Sequence, residues 1–103
     1  MYKNEYDYQF FYFYQMVPAD IERIKTYGVH GLRSIRYKTV FENMLHCRNI
    51  TYLNLPIKVR KKIKFTVECI IQADAERNIK EYIKQLKNLH RICTNAVGKY
   101  TNK

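Results

Sequence analysis

Along residues 57–71, IKVRKKIKFTVECII, apolar and polar side chains alternate. Ile57, Val59, Ile63, Phe65, Val67, Cys69 and Ile71 take the odd positions, with Lys61 the exception. Lys58, Arg60, Lys62, Lys64, Thr66 and Glu68 take the even ones, with Ile70 the exception. Thirteen of fifteen positions therefore obey a period of two, the pattern of a half-buried strand. A helical wheel does gather Val59, Ile63, Val67, Ile70 and Ile71, but Arg60 intrudes on that face and Phe65 and Cys69 fall outside it. The alternation predicts a strand, longer than most and open to a bulge at Lys61.

The same period is present in part at residues 6–17, YDYQFFYFYQMV, where aromatic density also favours a strand. Pro18 ends it. PADIERIKTYG then has proline at a helix start, acids in the first turn and Gly28 as a stop, which predicts a short helix over 18–27. Residues 34–41 alternate through Ile35, Tyr37, Thr39 and Phe41 and are read as a strand, although Leu32, Ile35, Val40, Met44 and Leu45 could also line a helix. NITYLN at 49–54 is read as a short strand before a Leu-Pro turn.

From Asp74 the spacing changes to three and four: Ala75, Ile79, Tyr82, Ile83, Leu86, Leu89, Cys93, Ala96 and Val97. With Asp74 as cap and Gly98 as stop, this predicts a helix over 74–97. PADIERIKTY (18–27) and QADAERNIKEY (72–82) echo each other, as a duplicated strand-then-helix unit would. The elements together predict one α+β domain over residues 1–103: a small antiparallel or mixed sheet with helices on one face, of ferredoxin-like sandwich type. An all-α bundle is the alternative, since scarce glycine and a strong final helix also suit it.

Charge gives this architecture a use. The chain carries a formal net charge of +10, and residues 57–103 hold twelve bases against four acids, so the excess lies in the C-terminal half. Such a patch suits an anionic partner, nucleic acid before acidic protein or lipid. The longest apolar run, FFYFY, is far short of a membrane span, which needs roughly 20 residues. No signal-peptide pattern is recognisable, and three cysteines make a disulfide scaffold a poor fit, so an intracellular location is expected.

On the expected strand, Lys58, Arg60, Lys62 and Lys64 form one row with a spacing of roughly 7 Å, and Phe11 and Phe13 of the first strand share its open face. Rings beside cations suit single-stranded RNA or DNA, where bases stack and phosphates pair with ammonium groups. Independently, Arg77, Lys80, Lys84, Lys87 and Arg91 recur at three and four and make a stripe on the last helix. His46-Cys47 and His90-x-x-Cys93 lack the paired spacing of a zinc site, and no catalytic or phosphate-loop motif stands out. The expectation is a nucleic-acid-binding protein without catalytic activity, cofactor or metal. The competing reading is an interaction module that engages an acidic protein surface, with a homodimer through the aromatic N-terminal strand.

Overall fold

A computed structural model describes residues 8–100, and every regular element among them is helical. In chain order these are α1 (Tyr8–Gln15), α2 (Val17–Tyr27), a single 3₁₀ turn (Gly28–Gly31), α3 (Ser34–His46), α4 (Ile50–Leu53), α5 (Ile57–Ala75) and α6 (Ile79–Tyr100). The α+β sandwich is thus overturned in favour of the all-α alternative, and the four expected strands are α1, α3, α4 and α5. Residues 6 and 7 of the first expected strand lie outside the described residues.

Each of these segments has a helical stripe that the alternation masked. In α1 the buried residues are Phe10, Phe13 and Tyr14, at steps of three and one, and Met16 and Val17 continue the buried side at its exit. Exposed Phe11 and Tyr12 sit between them, so with aromatics on both sides of the helix no period shows in composition. In α3 the buried residues are Ser34, Tyr37, Phe41 and Met44, while Ile35, which supported the strand pattern, faces solvent.

In α5 the buried stripe is Ile63, Thr66, Val67, Ile70 and Ala73. Thr66 is tolerated inside because its hydroxyl donates to Lys62 O at 2.8 Å. Arg60, which spoiled the helical face on paper, is half-buried for a reason: its Nε–H donates to Leu55 O at 3.0 Å, closing the loop ahead of the helix. Ile57 and Phe65, counted as buried in the strand reading, are exposed.

The two predicted helices fare differently. Residues 18–27 fall in α2, with Pro18 in its first turn and Gly28 at φ +61 ending it. The helix expected over 74–97 is broken: Asp74 belongs to the end of α5, and α6 starts at Ile79. Gly98 does not stop α6, which continues to Tyr100. A single exposed glycine costs an established helix only about 1 kcal/mol.

The break is a Schellman turn. Asn78 N–H donates to Ala73 O and Arg77 N–H to Asp74 O, with Arg77 in the left-handed region at φ 55. Asn78 then accepts Glu81 N–H on its side chain and caps α6. The same device ends α3: Asn49 N–H donates to Met44 O, Arg48 N–H to Leu45 O, Arg48 is at φ 55, and the Asn49 side chain accepts Tyr52 N–H. The structural repeat is therefore Arg-Asn-Ile, at 48–50 and 77–79. The echo at 18–27 and 72–82 is not a repeated unit, because the first copy is uninterrupted helix and the second spans a turn.

Short connection and extensive contact make α5 and α6 an antiparallel hairpin, on which α1, α2 and α3 pack. The core is aromatic: Phe13 lies against Tyr37 and Phe41, and Tyr52 bridges Phe10 and Phe41. Phe10, Phe13 and Tyr14 are enclosed in this core while Tyr8, Phe11 and Tyr12 stay exposed, so the aromatic N-terminal surface is the outer side of a helix and not the strand expected to pair two copies.

Polar groups fix the start of α3. Arg33 N–H donates to the Tyr82 hydroxyl at 3.1 Å and Ser34 N–H to Asp74 Oδ2 at 3.0 Å, so α5 and α6 satisfy its free amides. Gly31 makes the approach to α2 feasible, since a Cβ there would stand 3.0 Å from Arg23 O. No helix among the described residues is long and apolar enough to cross a membrane.

Candidate nucleic-acid interface

The helical fold divides the expected binding residues into three groups. Phe13 is fully buried and leaves the interface altogether. Phe11 is partly exposed on α1, with its ring 5.8 Å from that of Tyr14. Without a sheet, there is no open face for the two rings to share.

The basic row of α5 is split. At about 100° per residue, Lys58 and Lys62 lie on one flank of the helix and Arg60 and Lys64 on the other, roughly 200° away. Arg60 is engaged with the Leu55 carbonyl, so its guanidinium serves the loop. Lys58, Lys62 and Lys64 remain exposed, and Lys61, which broke the strand pattern, joins them.

The stripe on α6 survives with one change. Arg77 sits in the turn, where its guanidinium meets Asp74 Oδ1 at 3.2 Å, and it is not part of the helix. Lys80, Lys84, Lys87 and Arg91 are all exposed and fall within an arc of about 60°. The opposite side of α6 is the buried set Tyr82, Leu86, Leu89, Cys93 and Ala96. Core packing therefore fixes the rotation of the helix and aims the four bases at solvent.

Their setting keeps the positive charge available. Glu81 lies about 100° round the helix from Lys80, and its carboxylate accepts Gln85 Nε2–H at 2.7 Å. None of the four bases forms an ion pair among the described residues. Arg91 donates to the Asn88 side chain, which orients its guanidinium along the helix. Shallow open depressions run beside the stripe, one between α6 and α2 with Lys87, His90, Pro18 and Ile21 on its edges. From Lys80 to Arg91 the stripe is about 16 Å long.

No three His, Cys, Asp or Glu side chains are grouped as metal ligands among the described residues. Cys93 is enclosed in the core, where burial pushes its thiol well above the ordinary range and away from the reactive thiolate. Burial also raises Cys69, aided by Glu81 and Glu68. His90 lies edge-on to the Tyr14 ring at 6.0 Å.

Sequence reasoning missed Lys61 and Phe65, the first dismissed as an interruption and the second assigned to the core. The signal was present in the helical wheel, on which Phe65 already fell outside the apolar face. Comparison with protein-family models, with curated proteins and with solved structures gives no match, so the chain's own residues carry the functional argument.

Proposed function

We propose that this protein binds nucleic acid through the basic side of α6, with Lys80, Lys84, Lys87 and Arg91 on backbone phosphates and no catalytic step. The observation that supports this most is the opposition of the four exposed bases to the buried face of the same helix. A solvated helix needs some charge for solubility but mixes both signs as a rule. Here one side is of a single sign over about 16 Å, a length that meets several successive phosphates. An intracellular setting agrees with three free cysteines.

The test is a titration of labelled oligonucleotide by fluorescence anisotropy at rising salt. Each phosphate neutralised releases counterions, so four contacts give a slope of log affinity against log salt near −3.6 on duplex, or about −2.8 on a single strand. Replacing Lys80, Lys84, Lys87 and Arg91 by Gln is expected to flatten that slope with the helical circular dichroism unchanged. Affinity that ignores salt, or a variant that binds like the parent, overturns the proposal. Binding to an acidic protein with indifference to oligonucleotides would assign the stripe to the competing interaction module.

A further inference from the structure

Phe65 is the most exposed large apolar residue of the described chain, 66% accessible, at the middle of a helix whose other apolar residues are largely inside. Its ring contacts no other ring among the described residues. Lys61 and Lys62 stand about one turn before it and Lys58 about two turns before it, all within roughly 60° of its direction on the helix. All three lysines are exposed and none forms an ion pair among the described residues. Glu68, the only carboxylate on α5 before Asp74, lies one turn beyond Phe65 and also about 60° from it, so three ammonium groups border the ring against one carboxylate.

A ring bordered by ammonium groups one helical turn away, about 5.4 Å, matches a nucleotide, whose base is flanked by phosphates at similar distances. We infer that Phe65 is a stacking platform for an unpaired base, with Lys58, Lys61 and Lys62 holding the adjoining phosphates. The inference rests on the nucleic-acid reading of α6 and adds a preference for single strands, because a duplex keeps its base faces stacked inside. A lipid surface fits less well. Only Phe65 and Ile57 project from this side, with Lys64 next to Phe65, and an interfacial helix needs a broader apolar face.

The experiment compares the parent with Phe65→Leu and Phe65→Trp, titrating labelled oligothymidine and a duplex of equal length. The ring-free Leu variant is expected to bind the single strand about ten-fold more weakly and the duplex within two-fold of the parent, while Trp restores single-strand affinity. Both changes are at an exposed position, and circular dichroism confirms the fold. Equal single-strand affinity in parent and Leu variant overturns the stacking site and leaves the α6 reading standing. Absence of binding to either oligonucleotide overturns both. If Phe65→Leu instead loses affinity only for phosphatidylserine vesicles, the face is a lipid contact and the inference fails.

Discussion

The Tyr37 hydroxyl donates to Asp20 Oδ2 at 2.5 Å, and both side chains are shut away from water between α2 and α3. Arg23 and Arg36 approach the other oxygen at 3.8 and 4.0 Å, so the buried carboxylate is balanced by two cations at its edge. Arg36 also donates to the Tyr12 hydroxyl at 2.6 Å, which extends the network to α1.

Removing the hydroxyl by Tyr37→Phe leaves a buried carboxylate oxygen short of its donor. The expected cost is about 1–3 kcal/mol, read as a lower urea midpoint with an unchanged slope. A midpoint equal to that of the parent would mean that water replaces the phenol and that the carboxylate is not sealed.

Alkaline pH attacks the same region. Burial pushes the Tyr82 hydroxyl up to about 12 against the partial relief of the Arg33 N–H, and does the same to Tyr52 despite Arg60. Tyr37 moves further in that direction, through burial first and then its bond to Asp20. The folded chain therefore keeps phenol protons that the unfolded chain, with an ordinary value of 10.0, gives up. The stabilisation is complete below pH 10.0 and is lost as pH rises through about 12. Helix loss by circular dichroism should accompany the phenolate absorbance of the buried tyrosines; phenolate formation with the helices intact would contradict this.

Phe11 and Phe13, paired in the sequence reading as stacking rings, should part company on truncation. Phe13→Ala opens a cavity beside Tyr37 and Phe41 and is expected to cost about 3–5 kcal/mol. Phe11→Ala, at a position 44% exposed, should stay within about 1 kcal/mol. Thermal unfolding of the two variants decides the matter, and similar losses for both would mean that α1 is rotated from its described orientation.

What could be read from sequence alone follows the strength of local signals. Pro18 and Gly28 bracket α2, and the spacing of Tyr82, Leu86, Leu89 and Cys93 fixes the face of α6 and hence the stripe of bases opposite it. The α5 segment misled because Arg60 and Thr66, both polar and both on even positions, are drawn inward by hydrogen bonds to Leu55 O and Lys62 O that no pattern of hydropathy records. In α1 every side of the helix is aromatic, so periodicity had no contrast to register. The turn before α6 was hidden for a related reason: helices that end in a left-handed residue usually show glycine, and here the residue is Arg77.

That choice of residue has its own thermodynamic implication. For an L-residue with a side chain, the left-handed region costs about 1–2 kcal/mol, a penalty glycine escapes. Arg48 and Arg77 both accept it, in turns closed by backbone hydrogen bonds. Glycine at either site would make the chain less basic and more stable in one step, and the core would stay as it is. At Arg77 the largely exposed pair with Asp74 offsets only part of that gain. At these two turns the molecule's electrostatics and its thermostability are in direct opposition, and each can be adjusted without touching the helices that carry the proposed interface.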